Sequence, residues 1–287
     1  MVRRGSNADF IKNGAVQFIL IFLIVPPAVF LTACNVDLFG IFASSSLEER
    51  LLSRNDFTLL KAEETRNITL GEEYSFLVLS DAHIENQDAD GLEKLKEAAS
   101  GSSFVVFLGD ITQFGDYADL QIFIHIAKEL SVPCYPVIGN HDVYFSNWAA
   151  YKELIGSSSY KVSADSAAIF FLDSANGTLG SMQLKWLNQE LLGLKEQKKR
   201  VFVFTHTNLF VKSLFDHVQW KDDRERAKII SVLKDKCDVF FMGHVHREMF
   251  QKIAGVEFVT LDDYKSSKTY VKFFVTPAGF RREVKKL

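Results

Sequence analysis

Five short apolar runs in this chain each end in a cluster of aspartate, histidine or asparagine. Phe76–Leu79 is followed by Ser80-Asp81-Ala82-His83, Phe104–Leu108 by Gly109-Asp110, and Tyr135–Ile138 by Gly139-Asn140-His141-Asp142. Val201–Phe204 leads into Thr205-His206, and Val239–Met242 into Gly243-His244-Val245-His246. Five of the seven histidines stand in these clusters, which chance does not readily produce. His125 and His217 lie elsewhere and read as helix-surface or packing residues. Asp and Asn offer oxygen and His offers nitrogen, with no cysteine involved, a donor set that suits Mn, Fe or Zn. Asp81, His83, Asp110, Asn140, His206, His244 and His246 make seven donors. That is too many for one four-coordinate ion and right for two ions sharing a carboxylate.

Elements that could hold such a set in place follow from the apolar pattern. The five runs are short and wholly apolar, as buried strands are, and Ala168–Leu172 repeats the theme. Between them, Gly91–Ala99, Tyr117–Leu130, Met182–Leu192 and Asp223–Lys234 carry apolar residues at helical intervals. Alternating β and α units predict an α/β fold, with a sheet covered on both faces by helices. In such sheets, sites form outside the carboxyl ends of the strands, where all five clusters lie. Phe250–Ile253, Val256–Leu261 and Tyr270–Val275 have short turns and no intervening helix. They predict a second, partly antiparallel sheet packed against the first.

The chain has 287 residues and is 47% hydrophobic, enough for one domain with a sizeable core. A net charge of −3 gives no basic field for gripping nucleic acid, so a nuclease is disfavoured. Residues 1–34 stand apart. Arg3, Arg4 and Lys12 precede an uncharged stretch from Gly14 to Leu31, which ends in Leu31-Thr32-Ala33-Cys34. This pattern predicts an export signal, and its ending resembles a bacterial lipobox in which Cys34 becomes the lipidated first residue. An uncleaved anchor is the alternative, although Pro26 and Pro27 would interrupt its helix. Residues 35–73 read as a tether with a short amphipathic edge piece at Leu47–Leu52, and 74–287 as the functional domain. The expected location is outside the cytoplasm, on a membrane through the lipid anchor. Cys134 and Cys237 read as buried free thiols, with a disulfide between them the alternative in an oxidising compartment.

The ordered set Asp-x-His, Gly-Asp, Gly-Asn-His-Asp, His and Gly-His-x-His resembles the calcineurin-like metallophosphoesterase superfamily, over about residues 74–275. Gly109-Asp110-Ile111-Thr112-Gln113-Phe114-Gly115-Asp116 is similar to the branch of cyclic-nucleotide-phosphodiesterase-like and purple-acid-phosphatase-like enzymes. So are Leu172-Asp173-Ser174 and Gln183-Leu184-Lys185-Trp186-Leu187. The resemblance implies a four-layer αββα sandwich, mixed central sheets flanked by helices. It also implies metal-dependent hydrolysis of a phosphomonoester or phosphodiester. Asp81, His83 and His246 would bind one metal, Asn140, His206 and His244 the other, and Asp110 would bridge them. A hydroxide held by both ions would attack phosphorus. His141 would protonate the leaving group, and Asp142 would orient His141 unless it caps a turn instead.

The chain departs from the family pattern after His206, where Thr207-Asn208-Leu209 replaces His-x-Pro. Asn208 is therefore either a substrate contact or a turn residue. The substrate would be a small-molecule or lipid-linked phosphate ester, bounded by Tyr144–Ser159 and Leu209–Trp220. Tyr144, Phe145, Trp148, Phe210 and Trp220 in these stretches either stack on substrate or pack. The competing reading is a catalytically inactive metal-binding scaffold of the same fold. That reading expects a broken ligand set or a missing acid, and neither is present.

Overall fold

The computed structural model describes residues 45–52, 67–194, 197–211, 219–220 and 222–287. The expected export signal, Cys34, most of the tether, His217 and much of the 209–220 loop lie outside these residues. Among the described residues, no helix is long and apolar enough to cross a membrane.

Among the described residues, twelve strands form two sheets. The strands are β1 (Asn67–Ile68), β2 (Tyr74–Leu79), β3 (Phe104–Leu108), β4 (Cys134–Val137), β5 (Tyr160–Ala164) and β6 (Ala167–Phe171). They continue with β7 (Arg200–Phe204), β8 (Val239–Met242), β9 (Met249–Ile253), β10 (Val256–Thr260), β11 (Thr269–Thr276) and β12 (Gly279–Lys286). One sheet has the order β12-β11-β2-β3-β4, and the other β1-β5-β6-β7-β8-β10-β9. β2, β3 and β4 run parallel to one another, as do β6, β7, β8 and β10. β5 pairs antiparallel with β6 and parallel with β1, and β9, β11 and β12 pair antiparallel with their neighbours, so both sheets are mixed.

Each sheet turns one face to the other sheet and the opposite face to helices. In β2, Phe76 and Val78 enter the inter-sheet core while Leu77 and Leu79 meet helices. In β7, Phe202 and Phe204 point inward and Val201 and Val203 outward. The outer layers are built on Tyr117–Glu129 and Trp148–Leu154 on one side, and Gly180–Leu194 and Asp223–Leu233 on the other. The architecture is the four-layer αββα sandwich.

Two expectations from the apolar pattern are corrected. Helices do not cover both faces of one sheet, because a face against another sheet is as dry as a face against helices and reads identically in sequence. Nor do the last strands make a sheet of their own. β9 and β10 extend the seven-stranded sheet, and β11 and β12 extend the five-stranded one. Sequence order alone does not say which exposed edge a terminal strand joins. β1, β5 and β12 carry too few apolar residues, or too many charges, to stand out.

Phenylalanine dominates the space between the sheets. Phe76 stacks on Phe104 at 4.6 Å and meets Phe202, Phe204, Phe241 and Phe273 at 5.2–6.0 Å. Each such pair contributes roughly 0.5–1.5 kcal/mol beyond area burial. This rigid slab ends where the ligand clusters begin.

The Leu47–Leu52 helix packs through Leu47, Leu51 and a fully buried Arg50. Arg50 donates through Nε and Nη2 to both oxygens of Asp173, at 2.7 and 2.8 Å. Its remaining donors reach Ser45 and the Asn176 side chain. Burial lowers the affinity of Arg50 for its proton, but Asp173 more than compensates and raises its pKa. Arg50→Ala would leave a buried carboxylate without its cation, at a cost of about 3–5 kcal/mol. Denaturant unfolding should show that loss, with much of it recovered in Arg50→Ala/Asp173→Asn. A single-variant loss below about 1 kcal/mol, the scale of an exposed pair, would mean that this helix does not staple the domain.

Candidate metal centre

The ligand-bearing strands come from both sheets, β2, β3 and β4 from one and β7 and β8 from the other. Their carboxyl ends meet at one place. Donor atoms of Asp81, His83 and His246 lie within 4.8 Å of one another, as do those of His83, Asp110 and His141, and of Asp110, His206 and His244. Asp110 and His83 each belong to two groups, so the cluster is continuous. Asp110 stands where a shared carboxylate is expected. Asn140 directly precedes His141, whose amide donates to Asp110 Oδ1 at 2.9 Å. The structure thus brings together six of the seven donors with His141, and Asn140 is the residue before His141 in the chain.

The backbone reaches this arrangement at a cost. Asp81, His83, Asp110, His244 and His246 have φ between 46° and 71°. Left-handed conformations cost on the order of 1–3 kcal/mol in non-glycine residues and cluster at functional sites. Here they turn the chain sharply at the strand ends and aim successive side chains into one cavity. Two glycines permit the approach. A Cβ on Gly139 would lie 2.1 Å from the Asp110 amide nitrogen and Oδ1. A Cβ on Gly109, itself at φ 87°, would lie 2.5 Å from the His206 ring. That is why the motifs read Gly-Asp and Gly-Asn-His-Asp.

Hydrogen bonds set the ring orientations. His206 donates Nδ1–H to the Leu108 carbonyl at 2.9 Å and turns Nε2 toward Asp110 Oδ2, 3.0 Å away. His246 Nε2 lies 3.2 Å from Asp81 Oδ1. His244 Nδ1 lies 3.3 Å from His206 Nε2. Asn140 commits its amide nitrogen to the Tyr144 hydroxyl at 2.7 Å, so oxygen is the end with ligand chemistry. Ser80 Oγ donates to Asp81 Oδ2, which also accepts the His244 amide at 3.1 Å.

The structure decides between the alternatives left open for Asp142 and Asn208. His141 donates Nδ1–H to the Gln113 carbonyl at 2.8 Å, so a backbone group orients the ring. The carboxylate of Asp142 instead accepts from the amides of Ile111, Thr112 and Gly139 and from the Thr112 hydroxyl. Asp142 is a turn clamp that ties the loop leading to Gln113 to the loop carrying His141. Burial, and then the nearby charge of Asp110, push its pKa up to about 6. Asn208 is likewise a turn residue. Its Oδ1 accepts from Phe210 and Val211 amides and its Nδ2 donates to Thr260.

Gln113 and Ser80 are missed by sequence reasoning, one because it acts through backbone and the other because serine is common. Of the stacking and packing readings for Tyr144, the structure supports packing, since the residue is fully buried. Its role on Asn140 has a faint sequence signal, the i, i+4 spacing. Asp173-Ser174 and Gln183 prove to be a buttress. Gln183 bonds both backbone groups of Asp173, while Ser174 Oγ accepts from Thr205 and Thr207 on either side of His206. Cys134 and Cys237 are buried free thiols, and His125 lies exposed on its helix. Tyr144, Trp148 and Trp220 are buried, whereas Phe145 is exposed.

The electrostatics of the cluster are those of a cation site. Asp81 and Asp110 are buried to 0% and 1% exposure. Burial opposes their ionisation, yet His206 and its neighbours hold both below the usual carboxylate range. For His206, burial is outweighed by Asp110 and Asp81, and the pKa rises to about 10. For His246, burial is outweighed by the bond to Asp81, and the pKa rises to about 9. His83 is pushed down to about 4, chiefly by burial. Both of its ring nitrogens are buried with no hydrogen-bond partner among the described residues. A neutral imidazole with two unsatisfied nitrogens beside two carboxylates is what a dication would complete.

A family model described as calcineurin-like phosphoesterase matches residues 74–248. The chain belongs to the calcineurin-like phosphoesterase family. A curated relative named a probable cyclic nucleotide phosphodiesterase, from Fibrobacter succinogenes, is 29% identical over 188 residues, covering 60% of this chain and 72% of the relative. Among solved structures, a dimetal phosphatase from Danio rerio aligns with a TM-score of 0.60 at 15% identity, covering 74% of this chain and 98% of that one. A purple acid phosphatase from yellow lupin (Lupinus luteus) seeds aligns with a TM-score of 0.60 at 11% identity, covering 75% and 51%. These two likenesses are of fold. In the calcineurin-like phosphoesterase frame, the donor set fits a pair of metal ions.

Metal uptake should release protons. Below about pH 9, His206 and His246 carry protons in the metal-free chain, and both must lose them to bind metal. Calorimetric titration with Mn²⁺ or Zn²⁺ near pH 7.5, in buffers of different ionisation enthalpy, should show about two protons released per filled centre. Because both pKa values lie above 6.5, their support of the metal-free fold is present below pH 6.5 and lost as pH rises through 9–10. Thermal stability of the metal-free chain should fall across that window and that of the loaded chain should not. Binding without proton release would contradict this assignment. Gly139→Ala, read in the same titration, should weaken metal binding at least tenfold while circular dichroism stays native.

Proposed function

We propose that the chain hydrolyses phosphate esters at this centre, with Asp81, His83 and His246 on one metal, Asn140, His206 and His244 on the other, and Asp110 shared. The observation that carries the reading is the continuity of the three donor groups through Asp110 and His83, with His141 at their edge. When bound, the metal pair supplies a nucleophile made from water and positive charge for the phosphoryl oxygens.

The chain's own residues do the rest. Asp110 and Asp81 stay ionised and hold the cations. His141, with Nδ1–H fixed on the Gln113 carbonyl, keeps Nε2 toward the cluster, 3.9 Å from Asp110 Oδ2. From there it gives a proton to the leaving oxygen as the P–O bond breaks. The metals are Mn, Fe or Zn, the ions for which an oxygen and nitrogen set of this kind is suited. From Leu31-Thr32-Ala33-Cys34 we further propose an exported protein tethered by lipid on Cys34. Metabolic labelling with palmitate, lost in Cys34→Ser, would support the tether, and equal labelling of both would remove it.

A panel of phosphomonoesters and phosphodiesters, tested with each metal, should show turnover. His141→Ala should keep its metal and lose roughly 10²–10⁴ in kcat, the usual worth of a positioned general acid. Asp110→Asn should lose both metal and turnover. Wild-type activity in Asp110→Asn would refute the shared carboxylate. A fully loaded wild type with no turnover of any ester would favour a scaffold.

A further inference from the structure

The crossover from β10 to β11 carries the chain from one sheet to the other at the carboxyl ends of the ligand-bearing strands. β10 runs parallel to β8 and ends there, and β11 runs antiparallel to β2 and begins there. The crossover lies beyond residue 248, where the family match stops. The Leu261 amide donates to the Met242 carbonyl, and the chain then passes over the turn that holds Asp81 and His83. There Asp263 bridges to Ser80 and caps the short helix Tyr264–Ser267, its carboxylate accepting from the Ser266 amide at 2.7 Å.

The ligand turn is gripped from two sides. Its amides face the β3 side, where Asp81, His83 and Ile84 donate to the carbonyls of Gly109, Asp110 and Ile111 at 2.9–3.1 Å. Its carbonyls face the crossover. The Tyr264 amide donates to the Ser80 carbonyl at 2.8 Å, and the Lys265 amide to the Asp81 carbonyl at 3.1 Å. The His83 carbonyl is reached by a side chain, Lys265 Nζ, at 3.3 Å. Any residue but proline could supply the two amides, whereas the third bond requires a long side chain that ends in a donor. Lys265 thereby holds the turn at both of its ligands.

Asp90 does not draw the Lys265 ammonium away from this bond. Its Oδ2 is in close contact with Lys268 Nζ, while Lys265 Nζ stands 3.7 Å off. Asp81 and His83 take φ of 54° and 46°, a conformation that residues other than glycine keep only where their surroundings over-determine it. We propose that Lys265 is a positioning residue for the ion held by Asp81, His83 and His246. Its bond to the His83 carbonyl stops the left-handed turn from relaxing, so that the Asp81 carboxylate and the His83 ring converge on one ion. This proposal rests on the two-metal centre described above and adds a residue to it that touches neither metal nor substrate.

The test uses the full chain and three variants, with Mn²⁺ alone as the probe in calorimetry. Lys265→Met keeps an apolar stem and removes the donor, Lys265→Arg keeps a donor, and Lys268→Met removes the ammonium on Asp90 only. The Lys265 side chain is 38% exposed, so metal-free Lys265→Met should melt within about 4 °C of wild type. Wild type should take up two ions. In Lys265→Met one of the two should bind about tenfold or more weakly, the usual effect of losing a group that orients a ligand, and the other should bind unchanged. Lys265→Arg should recover most of that affinity, and Lys268→Met should match wild type. With a phosphate ester, Lys265→Met should lower kcat and leave KM near the wild-type value. Unchanged affinity for both ions in Lys265→Met would overturn the positioning role, as would an equal loss in Lys268→Met. So would a raised KM with both ions held, which would place Lys265 on the substrate. Loss of both ions together with a larger drop in melting temperature would reduce Lys265 to a structural part and also overturn the proposal. The expected metal pattern in a chain whose wild type turns over no ester would uphold Lys265 and instead remove the phosphoesterase reading.

Discussion

Two carboxylates, Asp81 and Asp110, are buried in the same small volume and kept ionised there. Like charges out of water repel strongly, and the fold tolerates them only if positive charge is supplied at that point. In the metal-free chain, His206 and His246 supply it by holding their protons well above the usual histidine range. Metal ions do the same task with more charge and more bonds. In the proposed centre the same histidines would be counter-ions when metal is absent and ligands when it binds.

The surrounding architecture can be read as what holds these charges together. Two sheets, each assembled from distant parts of the chain, bring their carboxyl ends to one line. Phe76 and its neighbours make the slab between them stiff enough that left-handed turns at the strand ends are retained. Gly109 and Gly139 remove the two side chains that would keep Asp110 from its neighbours. Farther out, the Arg50–Asp173 pair and the Gln183 bonds seat Ser174, and Ser174 in turn holds the residues either side of His206. Stability at the edge of the domain and geometry at the metal centre are therefore linked through one chain of hydrogen bonds.

Much of this was legible in the sequence, for reasons that differ by residue. Asp81, His83, Asp110, His206, His244 and His246 were visible because chemistry demands those residue types and the strand ends demand those places. Alternation within β2 and β7 was hidden, since both faces of each strand are dry. The destination of β11 was hidden too, because pairing next to β2 depends on which edge remains open, a property of the folded whole. The letter of Asp142 fits both a carboxylate that steadies an imidazole and one that caps a turn, and only the fold separates the two. The amide partners of Asp142, and the Gln113 carbonyl that steadies His141, are backbone groups that no residue letter announces.

The central claim is that Asp110 joins two metal ions into one centre. Electron paramagnetic resonance of the chain loaded with two equivalents of Mn²⁺ tests it most directly. A shared carboxylate predicts an exchange-coupled spectrum in the wild type, replaced by that of isolated Mn²⁺ in Asp110→Asn. A wild-type spectrum of isolated Mn²⁺ alone, with both equivalents bound, would contradict the account.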